Sequence, residues 1–118
     1  MIVPDFGILT GLYYVYILTD DRNKIFYTGL TDELLRRNYE HKVGLREGFT
    51  KKYRVHKLVY YESFERFSDA AHREKLIKRW KRTYKINVIE KMNPYWDDLY
   101  HQLLKEAAGT PDPAMRRG

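Results

Sequence analysis

An arginine and a histidine stand four residues apart in the stretch DELLRRNYEHK, at Arg37 and His41. On a helix this spacing places both side chains on one side, beside Leu34 at the border of the apolar stripe, while Arg36 points elsewhere. A guanidinium donates two hydrogen bonds to phosphate oxygens, and an imidazole can move a proton near neutral pH. The pair therefore predicts a phosphate site, with a solvated helix edge as the alternative.

A glutamate interrupts the apolar stripe of a second predicted helix. At ~100° per residue, Glu74 falls on the same side as Ala70 and Ile77. A carboxylate in such a position must be ion-paired, protonated or bound to a metal. Lys81, Arg37 or another basic residue could be the partner in an ion pair. The alternative is a ligand of Mg²⁺, which takes one or two carboxylates and leaves its other positions to water and substrate phosphate.

Tyrosines are concentrated in two β-prone segments, LYYVYIL and IFYTG, which the turn-forming stretch TDDRNK separates. This pattern predicts a β-hairpin, whose loop is too long for turn type alone to set the register. Alternation puts Tyr14, Tyr16 and Leu18 on one face, and Tyr16 can then lie near Tyr27. Tyrosine is also an ordinary strand residue with a polar tip, so the tyrosines alone do not define a site.

Helices must position the arginine, the histidine and the glutamate. Thr31 or Asp32 can cap the first helix, with Asp32 and Glu33 in its first turn, and Gly44 is expected to end it. A basic loop then leads to a third strand, LVYYESF.

The second half of the chain is predicted to be helical. A helix opens at Ser68 or Asp69 and runs to about Arg82, and the stretch YKINVIEKM continues helically after a break near Thr83. Asn93 followed by proline is typical of a helix N-terminus, so a last helix, PYWDDLYHQLLKEAA, is expected to follow it.

The order of elements, β-β-α-β-α-α with a final helix, indicates an α+β fold: a small three-stranded, mostly antiparallel sheet flanked by helices. A chain of 118 residues fits one domain. We expect a leader over residues 1–11, a single domain over 12–108, and a disordered tail over 109–118.

Charge and composition restrict the partners. Twenty-two Lys and Arg against 16 Asp and Glu give a net charge of +6, which favours polyanions such as nucleic acid. Basic residues alternate with Trp80 and Tyr84 in HREKLIKRWKRTYK, as in polyanion grooves, although a solvated helix exterior looks similar. The chain has no cysteine and no apolar run that approaches the ~18 residues of a membrane span. We therefore expect no disulfide, no membrane association and a cytoplasmic location.

An ordered set of motifs resembles the GIY-YIG nuclease family, and the small single-domain bacterial members in particular. The set comprises YVY at 14–16, YTG at 27–29, LLRRNYEH, TKKY, LVYYE, the helical glutamate and NPYWDDL. The two half-motifs read Tyr-Val-Tyr and Tyr-Thr-Gly where the family has Gly-Ile-Tyr and Tyr-Ile-Gly. The terminal tyrosine and the glycine are kept.

This resemblance implies a DNA endonuclease that depends on Mg²⁺ or Mn²⁺, with a possible part in DNA repair on branched or damaged DNA. It places Gly29 at a close strand turn and makes Glu74 the metal ligand. The implied catalytic residues are Tyr16, Tyr27, Arg37, His41 and Glu74. The residues that we expect to contact nucleic acid are Gly29, Lys51, Lys52, Arg73, Lys78 and Lys81.

On this hypothesis Tyr16 takes a proton from the attacking water, while Tyr27 and His41 orient that water and Arg37 neutralises the developing charge. A nucleic-acid-binding module that has the fold without cleaving is one alternative. A partner-binding protein without affinity for nucleic acid is another.

Overall fold

The computed structural model describes residues 11–45 and 48–107, so the predicted tail and all but the last residue of the predicted leader lie outside the described residues. The described chain forms three strands and five helices. In chain order they are β1 (Tyr13–Thr19), β2 (Phe26–Thr31), α1 (Leu34–Lys42), α2 (Phe49–Lys52), β3 (Lys57–Phe64), α3 (Phe67–Arg79), α4 (Arg82–Met92) and α5 (Tyr100–Ala107).

The strands form one antiparallel sheet in the order β2-β1-β3, which confirms the predicted α+β fold. In the β1–β2 hairpin Tyr16 lies opposite Gly29 and Leu18 lies opposite Tyr27. The hairpin loop is organised by the carboxylate of Asp20, which accepts hydrogen bonds from the backbone N–H groups of Lys24 (2.7 Å) and Ile25 (3.0 Å). Burial alone would raise the pKa of Asp20, but these hydrogen bonds outweigh it and lower the pKa.

Helices cover both faces of the sheet, and the alternation along β1 decides which residues meet which helices. Tyr14, Tyr16 and Leu18 pack with buried residues of α1 and α5. Val15 and Ile17 pack on the opposite face, with buried residues of α3 and α4. The predicted division of this strand into two faces is therefore confirmed, and both faces are apolar because each is covered.

The predicted start of α1 is wrong, whereas its predicted end is confirmed. The helix begins at Leu34 with Glu33 as its N-cap, without a side-chain capping bond or an acidic residue in its first turn. Thr31 belongs to β2, where its hydroxyl accepts a hydrogen bond from the Glu33 N–H (3.0 Å). At the other end Gly44 adopts a left-handed φ of 72°, and its N–H donates to the His41 carbonyl (3.3 Å). Glycine adopts this conformation without a Cβ clash, so it ends the helix at low cost.

The remaining boundaries differ modestly from the predictions. The basic loop contains a short helix, α2, which the sequence did not predict. Helix α3 begins at Phe67, ahead of both predicted caps, and the break before α4 falls at Trp80 and Lys81, where both residues have extended backbone. Among the described residues no helix combines the length and apolarity that crossing a bilayer requires.

Asn93 does not begin a helix, which corrects the sequence prediction. It is the C-cap of α4, and α5 begins only at Tyr100. Its amide donates to the carbonyls of Val59 (3.2 Å) and Asp97 (2.8 Å), while its oxygen accepts from the Asp97 N–H (3.0 Å). The side chain therefore joins the turn after α4 to strand β3, through a contact between residues distant in sequence.

A second long-range contact fixes the segment after this turn. The carboxylate of Asp98 accepts from the Leu58 N–H (3.1 Å) and from the Tyr100 N–H (3.2 Å), and it forms an ion pair with Lys42 at the end of α1. The Leu99 N–H donates to the Leu58 carbonyl (2.8 Å). Asp98 thus connects α1, β3 and the start of α5.

Replacing Asn93 by alanine is expected to lower the free energy of unfolding by about 2 kcal/mol, because a buried side chain with hydrogen bonds to β3 and to the turn is lost. Urea denaturation followed by circular dichroism measures the effect. Asn87→Ala, at an exposed position of α4, is the control and should change stability by less than about 0.5 kcal/mol. Equal effects of the two substitutions would show that Asn93 does not hold the turn.

Candidate active site

Tyr16 occupies a slot that only a glycine on the neighbouring strand can provide. Its side chain is buried, with 1% of the residue exposed. A Cβ built on Gly29, its cross-strand partner, would lie 2.4 Å from both Cζ and the hydroxyl oxygen of Tyr16. Such a distance is far inside van der Waals contact. Gly29 therefore lies within β2 beneath the Tyr16 ring, and its predicted placement at a strand turn is wrong.

His41 connects Tyr16 to helix α2. Its Nε2 is hydrogen-bonded to the Tyr16 hydroxyl at 3.4 Å, and its Nδ1 is hydrogen-bonded to the Thr50 hydroxyl at 2.9 Å. All three side chains are buried. A hydroxyl can both donate and accept, so Tyr16, His41 and Thr50 form a continuous chain with the imidazole in either tautomer.

Tyr27 lies beside this chain and is the more accessible of the two tyrosines. Its ring centroid is 6.3 Å from that of Tyr16 and 5.6 Å from that of His41. The residue is half-buried, in contrast to Tyr16. The predicted proximity of Tyr16 and Tyr27 is confirmed, and Tyr27 is the one that a bound molecule can approach.

Arg37 lies at the outer edge of the sheet. It lines a pocket of about 240 Å³ together with Leu30 and Thr31 of β2 and Phe67 of α3. Its Nε is 3.8 Å from a carboxylate oxygen of Glu40, on the same helix. Arg36 is exposed and pairs with Glu33 (3.2 Å), as expected from its position on another side of α1. Arg37 is therefore the arginine that faces a concave surface.

Glu74 projects from α3, between the buried residues Ala70 and Ile77, and its side chain is 21% exposed. Its partner is Lys78, with Nζ 3.3 Å from Oε2, so the expected ion pair is present with a base other than Lys81 or Arg37. Because α3 and α1 pack on opposite faces of the sheet, Glu74 and the Tyr16–His41 pair also lie on opposite faces. The Arg37 pocket is also lined by Tyr13 and Asp32, so it lies at the end of the β1–β2 hairpin, where Phe67 of α3 contacts the Tyr13 ring.

The donor set available for a metal ion is small. In residues 11–45 and 48–107 no three His, Asp or Glu side chains come together in a group that could hold an ion. A single carboxylate, Glu74, fits an Mg²⁺ ion that keeps most of its water, and does not fit an ion that needs an all-protein set of ligands. The ammonium of Lys78 would compete with such an ion for the carboxylate.

Two arginines of the segment HREKLIKRWKRTYK have structural partners. Arg73 donates through Nε and Nη2 to both carboxylate oxygens of Glu62 at 2.9–3.2 Å and lies 4.9 Å from the Trp80 ring centre, so these bonds hold its guanidinium against β3. Arg82 donates to the backbone carbonyls of Lys24 (2.6 Å) and Asn23 (2.9 Å) in the hairpin loop.

Glu62 also accepts a hydrogen bond from the Tyr60 hydroxyl. Burial, followed by this hydrogen bond and the glutamate charge, raises the pKa of Tyr60. Hydrogen bonding to Glu62 raises the pKa of Arg73 against the opposing effect of burial. The hydrogen bonds of Tyr60, Glu62 and Arg73 therefore fasten α3 to β3.

The lysines remain the candidates for contact with a polyanion. Lys51 and Lys52 are exposed on α2, next to Thr50 of the hydrogen-bonded chain. Lys78 and Lys81 are exposed on the other side of the sheet, at the end of α3 and before α4. The predicted basic residues therefore fall on two separate surfaces.

The sequence did not identify Thr50 or Asn38. Thr50 is adjacent to His41 only because α2 folds back against α1, and nothing in the local sequence indicates that approach. Asn38 sits on the buried side of α1 with 1% of the residue exposed, and neither its amide nitrogen nor its oxygen has a hydrogen-bond partner within the described chain. The sequence does contain one signal for Asn38: its amide falls on the apolar side of α1, three residues before His41.

A family model described as the GIY-YIG catalytic domain matches residues 12–87 of the chain. The match contains Tyr16, Tyr27, Arg37, His41 and Glu74. The chain belongs to the GIY-YIG family. GIY-YIG proteins are nucleases, and they generally use divalent metal ions.

Curated relatives of this GIY-YIG protein carry the name UPF0213. It is 36% identical over 73 residues to a UPF0213 protein of Listeria monocytogenes, covering 62% of this chain and 80% of the relative. It is 39% identical over 82 residues to a UPF0213 protein of Syntrophus aciditrophicus, covering 69% and 92% of the two chains. The solution structure of a UPF0213 protein from Bacillus halodurans is 25% identical, with a TM-score of 0.48 over 74% of this chain and 92% of that one.

Gly29→Ala is expected to destabilise the GIY-YIG domain by about 1–3 kcal/mol, because the added methyl overlaps the end of the Tyr16 ring. In a Tyr16→Leu background the overlapping atoms are absent, so the same substitution should cost clearly less. A double-mutant cycle measured by urea unfolding gives the difference. Equal costs in both backgrounds would show that the Tyr16 ring is not what requires the glycine.

Asn38→Leu is expected to stabilise the protein by about 1–3 kcal/mol, because it replaces a buried amide without partners by an apolar side chain of similar volume. Urea unfolding measures the gain. Asn87→Leu, at an exposed position of α4, is the control and should give no gain. A loss of stability in Asn38→Leu would indicate that the amide binds an internal water molecule.

Proposed function

We propose that this protein is a metal-dependent endonuclease that hydrolyses phosphodiester bonds in DNA. The hydrogen-bonded chain of Tyr16, His41 and Thr50, with the accessible Tyr27 beside it, is the observation that carries the proposal. Membership of a nuclease family supports it. A buried histidine between two hydroxyls, next to an accessible tyrosine, places groups that donate and accept protons beside an open surface.

Phosphodiester hydrolysis needs a proton acceptor for the attacking water and stabilisation of negative charge on the phosphate oxygens. Arg37 is our candidate for the second task, because it lies in the pocket at the end of the β1–β2 hairpin and a guanidinium can donate two hydrogen bonds to a phosphate. Replacing Arg37 by an uncharged residue should raise the energy of the transition state more than that of the bound substrate, because the negative charge on the phosphate oxygens grows during the reaction.

Tyr27 is our candidate for contact with the attacking water. The sequence favoured Tyr16 for this role, but Tyr16 is enclosed between Gly29 and His41, whereas Tyr27 is half-buried. Tyr16 and His41 then act as positioning residues. They form the surface against which Tyr27 packs, and the hydrogen bond between the imidazole and the Tyr16 hydroxyl fixes their relative positions.

Glu74 is the residue that we propose to hold Mg²⁺ or Mn²⁺, which when bound would stabilise negative charge on the phosphate and the leaving oxygen. Its location on the other face of the sheet requires a substrate that contacts the end of the β1–β2 hairpin, where the Arg37 pocket meets α3. DNA that bends or branches at this end is the substrate that we propose, with DNA repair as the corresponding process.

A nucleic-acid-binding module that does not cleave is the second candidate function. The ion pair between Glu74 and Lys78 favours it, because Lys78 already neutralises the carboxylate that the metal would need. Both candidates use the net charge of +6, which attracts a polyanion at moderate salt concentration.

The deciding experiment measures cleavage of flaps, forks, junctions, single strands and linear duplexes with Mg²⁺ or Mn²⁺. Glu74→Gln is compared with Lys78→Gln, which removes the same ion pair from the other side. If Glu74 holds the metal, Glu74→Gln should lose about 10²-fold or more in the cleavage rate at saturating DNA. Lys78→Gln keeps the carboxylate and loses only a candidate phosphate contact, so it should bind DNA more weakly but retain the saturating rate within a few-fold. Tyr27→Phe should lose about 10²–10⁴-fold, the range for a proton acceptor.

Equal cleavage rates for Glu74→Gln and Lys78→Gln would show that the Glu74 carboxylate has a structural role only. If the wild-type protein binds the same DNA without cleaving it under any of these conditions, the non-cleaving module is the correct function. Thermal unfolding of each variant verifies that it is folded.

A further inference from the structure

A row of aromatic rings leads outward from Tyr27 across helix α2. The Tyr27 and Phe49 rings are stacked, with centroids 6.4 Å apart and planes inclined by 26°. Phe49 in turn contacts Tyr53, with centroids 4.8 Å apart. Phe49 is 46% exposed and Tyr53 is 42% exposed. We call the exposed surface of Phe49, Tyr53 and Lys52 the α2 platform.

Packing does not account for the α2 platform. The buried side of this segment is provided by Thr50 and Val55, while Phe49 and Tyr53 keep nearly half of their surface in water. Two adjacent large rings in that condition form an apolar patch, and such patches on folded proteins commonly bind a partner. The patch is continuous with Tyr27 and therefore with the candidate active site.

The charge around the rings is positive. The Lys52 ammonium lies 5.3 Å from the centre of the Tyr53 ring. Lys51 and Arg54 belong to the same exposed segment, in which residues 49–54 include three basic residues and no acidic one. Exposed rings bordered by cations are the arrangement by which proteins bind single-stranded nucleic acid: bases stack on the rings and lysines attract the phosphates.

We propose that the α2 platform stacks an unpaired nucleobase of the strand whose phosphate lies in the Tyr27 site. This inference rests on the proposed function, because it assumes that nucleic acid enters that site. Bases within a duplex stack on each other and do not present a free face to a protein ring, so the platform selects nucleotides outside a duplex. The preferred substrate is therefore DNA with at least one unpaired nucleotide beside the bond to be cut.

Tyr84 on α4 provides a matched comparison. It is also a large exposed ring, at 57%, and lies in a groove with Trp80 and Lys91. That groove is on the face of the sheet covered by α3 and α4, away from Tyr27. Tyr84→Ala therefore tests whether any exposed aromatic ring, rather than the α2 platform in particular, accounts for the binding of nucleobases.

Binding is measured in EDTA, so that cleavage does not enter the result. The probes are a fluorescein-labelled single-stranded 12-mer of thymidine and a chain of the same length made of abasic sugar phosphates. We expect the wild-type protein to bind the thymidine strand about tenfold more tightly than the abasic chain, since a base stacked on an aromatic ring adds affinity that a bare sugar phosphate lacks. Tyr53→Ala should reduce this ratio to nearly one, while Tyr53→Phe preserves it and Tyr84→Ala leaves it unchanged.

Lys52→Gln should weaken binding of both probes by the same factor and should flatten the salt dependence, because it removes a contact to phosphate and no contact to a base. A ratio near one in the wild-type protein overturns the proposal. So does a Tyr53→Ala variant that loses the same factor for both probes, or a Tyr84→Ala variant that loses the preference. Self-association of the wild type that Tyr53→Ala abolishes would assign the platform to a second copy of the chain.

The two proposals fail separately. If the preference for unpaired bases is present in EDTA and no cleavage occurs on adding Mg²⁺ or Mn²⁺, the platform is retained and the endonuclease is excluded. If cleavage occurs but fully paired duplex is cut as fast as flaps and single strands, the endonuclease is retained and the platform has no role in selecting the substrate.

Discussion

The close approach of the Tyr16 phenol to Gly29 is the constraint on which the site depends. A side chain at residue 29 would occupy the space that the end of the Tyr16 ring fills, so one missing Cβ on β2 permits a tyrosine on β1 to lie across the sheet. The hydroxyl then meets His41, and His41 meets Thr50. Because Thr50 belongs to α2, the same contacts determine where Phe49 and Tyr53 lie. A steric requirement within one strand pair thus fixes the position of a helix that comes about twenty residues later in the chain.

The sheet divides the candidate site into two sets of residues. The tyrosines and His41 lie on the face that α1 and α5 cover, and Glu74 projects from α3 on the other face. A sheet with helices on both faces has no interior space in which a nucleic acid could contact both sets. The end of the β1–β2 hairpin remains, and there the Arg37 pocket reaches Phe67 of α3. If both sets act on one phosphodiester, the DNA backbone must reach them around this end of the sheet.

The sequence was the best guide to features that depend on local periodicity. Alternation along β1 is enough to place Tyr16 and Leu18 on one face, because a strand has a period of two in any context. The spacing of Arg37 and His41 likewise required only a helix. Most of the failures concern contacts between distant residues. Asn93 has the residue type of a helix cap, yet its hydrogen bonds go to Val59 and Asp97. Glu74 was correctly placed on the apolar side of α3, but its ion-pair partner is the exposed Lys78, one turn further along the same helix. Thr50 lies in the site because the basic loop folds back and brings α2 to His41. The sequence of that loop has no periodic pattern from which this contact could be predicted.

The ion pair between Lys42 and Asp98 has a consequence for where the functional unit ends. The family match stops at residue 87, but the residue next to His41 on α1 is bound by a carboxylate that lies beyond that limit. Tyr100 and Leu103 of α5 also pack in the same cluster as Tyr14 and Tyr16. A fragment cut at the limit of the matched domain would keep every residue of the candidate site while exposing the apolar side of the strand that carries Tyr16. We therefore expect the smallest fragment that folds by itself to extend through α5, because this helix covers the side of β1 that carries Tyr16.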